Sequence, residues 1–136
     1  MSWATDTGLY IIGGWNGGEK TSEKILPDGS VEEGFALRYS TSFSCAIPDP
    51  DNDEVIITGG VDDNLTTGTL YTRVSVYNEQ GWSRDLAPLA TGRRFHACTS
   101  YTLGGKKVNL LHRHQVIDDG KNDEQAFSLP VLNTVN

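Results

Sequence analysis

Basic residues are scarce in this chain. Over 136 residues, 11 lysines and arginines stand against 18 aspartates and glutamates, a formal net charge of −7. General binding to nucleic acid or to an anionic membrane needs a basic face, so no nucleic-acid or membrane partner is expected. No apolar run approaches the roughly 20 residues of a membrane-spanning helix. The opening MSWATDTG has neither a basic stretch nor an apolar one, so it does not read as a secretory signal. Nowhere do apolar residues recur at helical spacing for more than two turns, which leaves little room for helix. Enzyme signatures are missing too: no Gly-x-Ser-x-Gly elbow, no His-Glu-x-x-His, no phosphate loop and no Cys-x-x-Cys. Cysteine is limited to Cys45 and Cys98. Both fall in expected strands and read as small buried residues, because a disulfide would demand adjacent strands in a suitable geometry. A reduced, cytoplasmic chain is the expectation, and the sequon Asn64-Leu65-Thr66 would matter only in a secreted one.

What the chain does contain is a repeat. LYIIGG (Leu9 to Gly14) and VIITGG (Val55 to Gly60) are apolar strands ending in a glycine pair, 46 residues apart from Gly13 to Gly59. A period of that size marks stacked supersecondary units. Placing Cys45 on Cys98 also brings Ile47 onto Ser100, Val55 onto Val108 and Ile57 onto Leu110 without a gap. The turn-rich PDPDNDE (Pro48 to Glu54) then falls on YTLGGKK (Tyr101 to Lys107). The pattern stops where Gly59-Gly60 should recur, because the chain there reads His112-Arg113.

After Gly60 come Tyr77, Trp82 and then Arg93-Arg94-Phe95-His96. That order of glycine pair, tyrosine, tryptophan, arginine and histidine resembles the kelch repeat. The resemblance covers about residues 8–111 and implies an all-β fold of antiparallel four-stranded blades belonging to a β-propeller. Alternation and turn residues place strands at 8–13, 21–26, 31–37, 43–48, 54–59, 69–77, 81–86, 95–101 and 107–112. On the kelch scheme the kelch repeats run over residues 1–112. Residues 43–86 make one full blade, 8–37 give three strands of the one before, and 95–112 open the next. Residues 113–136 form an unassigned tail. Closed propellers have about four to eight blades. Fewer than three are present here, so the ring is incomplete and the chain reads as a fragment of a larger propeller protein, the alternative being that several copies assemble to close a ring. Open blade edges and the flank of Leu9 and Ile11 are then available for self-association.

The resemblance also sorts the conspicuous residues. Tyr77, Trp82 and Leu86 occupy positions that pack neighbouring blades and are assigned to the core. Gly13, Gly14, Gly59 and Gly60 are structural, allowing close approach of strands. Arg93 is expected to stack on Trp82 or to bond loop carbonyls. Arg94 and Phe95 face the mouth of the central channel, where kelch proteins often bind ligands. Trp15 and Asn16, with Asp62, Asp63 and Asn64 in the next unit, lie on loops after the glycine pairs. These seven are the candidate contact residues. His96, Cys98, His112 and His114 could suggest a metal site. The strand pairing sets Cys98 nearer Asn109 or Leu111 than both histidines, so neither metal nor cofactor is expected.

The expected function is therefore a kelch-type protein-interaction module, a scaffold or substrate-recognition element with a protein partner. The alternative is a segment of a catalytic or carbohydrate-acting propeller, such as a kelch-fold copper oxidase with its tyrosine and cysteine radical site.

Overall fold

A computed structural model of the chain describes residues 1–15, 20–61, 68–103, 106–113 and 126–129. Among these there are 11 strands and no helix. They form three antiparallel sheets. The first runs in order β1 (Ser2–Thr5), β2 (Gly8–Ile12), β3 (Ser22–Ile25) and β4 (Val31–Glu33). The second runs β5 (Cys45–Asp49), β6 (Glu54–Thr58), β7 (Val74–Asn78) and β8 (Gly81–Asp85). The third contains β9 (His96–Leu103), β10 (Lys106–Arg113) and β11 (Ala126–Leu129). Every connection within a sheet joins neighbouring antiparallel strands, so each sheet is a meander. No helix among the described residues is long and apolar enough to cross a membrane.

Alternation decides how each sheet is used. In β2, Tyr10 and Ile12 are buried, while Leu9 and Ile11 lie on the opposite face and are 38% and 39% exposed. The first sheet therefore buries one face only. In β6 and β7 consecutive residues are buried, Val55 to Thr58 and Val74 to Tyr77, because the second sheet is covered on both faces.

Two apolar clusters account for this. In the first, Trp3, Tyr10 and Ile12 of the first sheet meet Val55, Ile57 and Tyr77 of the second. Phe35 and Leu37, just past β4, fill the gap between them. Tyr10 and Phe35 approach to 5.2 Å between ring centroids, and Phe35 stacks on Tyr77 at 5.7 Å. In the second cluster, Ile47, Ile56, Val74 and Val76 pack with Leu89, and with Leu86 and Cys98 at the margin. Leu86 and Leu89 again come from the segment after the last strand of a sheet. The repeat is thus visible in the packing: each departing segment wedges its apolar side chains beside the sheet it has just left.

Several sequence expectations need correction. The first sheet has four strands, not three. Its unforeseen member, β1, lies at the start of the chain ahead of the residues the repeat covers. It is tied to β2 by reciprocal bonds, the Met1 ammonium donating to the Ile12 carbonyl at 2.9 Å and the Ile12 amide to the Met1 carbonyl at 2.8 Å. The expected strand 31–37 ends at Glu33 because the chain turns inward to insert Phe35 and Leu37. The expected strand 69–77 begins only at Val74. The tail read as unassigned contributes β11, whose Leu129 pairs with Asn109 and whose Ala126 pairs with His112.

The cysteines depart furthest from expectation. Cys45 and Cys98 are joined in a disulfide, with Cα atoms 6.1 Å apart, and are not separate thiols. Their equivalence in the repeat explains it. The first strands of successive sheets, β5 and β9, are neighbours in space, so the same position in each unit ends up facing its counterpart.

Candidate functional site

The glycine pairs end β2 and β6, and each receives the loop that leads into the next sheet. Gly13 and Gly59 take up φ of +61° and +63°, a left-handed conformation that glycine adopts without strain. A Cβ on Gly13 would collide with Thr41 Oγ1. A Cβ on Gly59 would sit 2.5 Å from the Arg93 carbonyl oxygen and 2.7 Å from the His96 ring. Hydrogen bonds fasten the same loops. The Ser42 hydroxyl donates to the Gly14 carbonyl at 3.1 Å, the Val61 amide to the Ser42 carbonyl at 3.1 Å, and the Gly60 amide to the Arg93 carbonyl at 2.7 Å. The Phe95 amide donates to the Phe43 carbonyl at 3.0 Å.

These ties gather three aromatic side chains at one end of the sheets. Trp15 and Phe43 lie 5.1 Å apart between ring centroids, and Phe43 and Phe95 only 4.2 Å. The Arg94 guanidinium lies 5.6 Å from the Phe95 ring centroid. Trp15 is 46% exposed and Phe95 60%. Both phenylalanines have left-handed backbone, with φ of 58° and 54°. That conformation costs a residue with a side chain roughly 1–2 kcal/mol. Strain of this kind at two stacked rings, one of them well exposed, is a mark of functional surface.

The ground beneath is polar and buried. His96 is buried, its Nε2 2.8 Å from the Thr58 hydroxyl oxygen. Burial, and then the nearby Arg93 charge, push its pKa down to about 4, so the imidazole is neutral at pH 7. Arg93 is itself buried.

Sequence reasoning named Trp15, Arg94 and Phe95, and the fold brings these together. Asn16, Asp62, Asp63 and Asn64 lie outside the described residues. Phe43 was missed. Its signal was present, because SFSC and RFHAC each place a phenylalanine just ahead of the cysteine.

Tyr77 is buried, and its hydroxyl accepts from the Arg38 amide at 3.3 Å. Trp82 corrects the core assignment. It is 40% exposed on β8, the outer strand of its sheet, and its Nε1 donates to Asp85 at 3.1 Å. Its ring is covered by Arg38. Arg38 begins a stack that runs through Tyr39, Arg73 and Tyr71, with the Arg73 guanidinium 3.9 Å and 4.1 Å from the two tyrosine centroids. These cation–π contacts clamp residues 38–39 to the second sheet. That anchors the segment carrying Phe43.

At the opposite end, the β1–β2, β5–β6 and β7–β8 turns border an open cleft of about 410 Å³. Glu79 accepts there from the Thr5 and Thr7 hydroxyls, at 2.8 and 2.5 Å, and these bonds hold its carboxyl below the usual range.

The disulfide removes the Cys98 thiol from the conceivable metal set. Cys98 pairs with Leu111 across the ladder, and His112 with Ala97. His114 lies outside the described residues, among which no group of three histidine, cysteine or carboxylate side chains could hold a metal. No protein-family model matches this chain, and no curated protein matches it either.

Proposed function

We propose that the chain is a segment of a kelch-type β-propeller and serves as a protein-interaction module. The observation that carries this reading is the contiguous group of exposed Trp15 and Phe95, bridged by half-buried Phe43 and flanked by Arg94, on loops that a rigid scaffold holds. Aromatic and arginine side chains are the usual anchors of protein interfaces. The partner is a protein segment that lays an apolar side chain on the rings and offers a carboxylate to the Arg94 fork.

Two further observations favour the propeller. The first strands of the sheets are spatial neighbours in sequence order, β1 beside β5 and β5 beside β9. Also, Leu9 and Ile11 stand where the repeat has Val55 and Ile57, which are 0% and 4% exposed under the neighbouring sheet. A further sheet of a larger ring would cover Leu9 and Ile11 in the same way. The disulfide fits an oxidising compartment better than the cytoplasm expected from sequence.

The test is selection of displayed random peptides on the immobilised chain. Enrichment of peptides combining an acidic and a large apolar residue, lost with Arg94→Ala or Phe95→Ala at unchanged Tm, supports the reading. Peptides retained by both variants overturn it.

A further inference from the structure

The disulfide and the aromatic surface are parts of one connection. Phe43 stands two residues before Cys45, and Phe95 three before Cys98. The covalent bond therefore joins the two strands directly below the rings, and the Phe95-to-Phe43 backbone hydrogen bond joins the loops beside them. Both phenylalanines occupy a backbone region that residues with side chains leave when nothing opposes it. The cross-link opposes it from each side. Cys45 and Cys98 are half-buried, so neither residue is sealed in the core.

We infer that the Cys45–Cys98 disulfide is a redox control on the aromatic surface, which is complete when the cysteines are bonded and comes apart when they are reduced. This rests on the interaction reading above. The reductant is a dithiol. The S–S bond takes up two electrons and two protons to leave a thiol on each cysteine, and the dithiol closes into its own disulfide. The second and third sheets then lose their covalent link. Phe43 and Phe95 relax away from left-handed backbone, and the partner finds the rings paired in only a fraction of molecules. Affinity falls in proportion to that fraction.

The experiment places 4-fluorophenylalanine at Phe95 and follows its fluorine resonance in the full chain before and after dithiothreitol. Alkylation and mass measurement count the freed thiols, and a Phe43→Ala chain supplies the resonance of an unstacked Phe95 ring. With two thiols freed, the resonance should move to the Phe43→Ala position, while the far-ultraviolet β spectrum persists. A Cys45→Ser/Cys98→Ser chain should behave like the reduced one. Affinity for selected peptides should fall about tenfold, as expected if one molecule in ten keeps the pair. An unmoved resonance with both thiols alkylated overturns the inference. So does loss of the β spectrum in both reduced and serine chains, which would make the bond a staple of the whole fold. If the oxidised chain selects no peptide, the interaction reading fails by itself, and the fluorine resonance still decides the clamp.

Discussion

Arg38 sits over the ring of Trp82 with its guanidinium carbon 4.2 Å from the ring centroid, linking the segment between the first two sheets to the outer strand of the second. The tryptophan is thus a lid on a cation and not a core residue. Exposed contacts of this type contribute about 0.5–1 kcal/mol. Trp82→Ala should therefore lower stability by about 1 kcal/mol. Tyr77→Ala, which empties a buried aromatic site, should cost about 3–5 kcal/mol. Urea unfolding of the two variants checks this, and equal losses would place Trp82 back in the core.

Gly59→Ala should be poorly tolerated. The residue would hold left-handed backbone at φ +63°, and its methyl group would press on the Arg93 carbonyl. The expected loss is about 2 kcal/mol or more, from strain and displaced backbone together. Gly29→Ala supplies the contrast, because at φ +86° it meets strain but no neighbour within 4 Å. A denaturant midpoint for Gly59→Ala no lower than that of Gly29→Ala would show that the loop yields easily.

Phe95→Asn should leave stability unchanged or raise it by up to about 1 kcal/mol, since asparagine accepts left-handed backbone more readily than phenylalanine. Peptide binding should be lost in the same variant. A residue whose removal helps the fold and harms binding is kept for binding. A large fall in Tm would instead show that the ring works mainly by packing on Phe43.

Stability should fall as the solution is acidified. The His96 pKa lies near 4 in the folded chain against an ordinary value of 6.5. Between those values the unfolded chain holds the extra proton, so unfolding is favoured progressively as pH drops from 6.5 to 4. The full effect amounts to about 3 kcal/mol, present above pH 6.5 and lost below 4. His96→Gln should flatten that part of the profile. An unchanged slope in the variant would assign the acid sensitivity to other groups.

Much of the fold was legible because its signals are local. The glycine pairs, the turn-rich stretch from Pro48 to Glu54 and the alternation of β2 with its neighbours each leave a mark within a few residues. β1 and β11 were not legible, lying outside the repeat and recognisable only through the strands they pair with. The disulfide was hidden for a related reason: sequence equivalence identified Cys45 and Cys98 as counterparts but could not say that counterparts touch. At the candidate site, Trp15, Arg94 and Phe95 were readable from loop position and residue type. Phe43 was overlooked although SFSC and RFHAC carry its signal, because its stacking on Phe95 depends on the left-handed backbone at both residues, which no alternation pattern encodes.

The far edge of the first sheet bears on how copies of this protein could meet. β4 is only three residues long, exposed at each of them, and reads Val31-Glu32-Glu33. Glu33 faces Glu23 across the ladder, so a third acidic side chain laid alongside would meet like charge. A foreign strand finds little length to pair with there and an unfavourable field when it tries. Edge-to-edge pairing of strands is thereby discouraged at this edge.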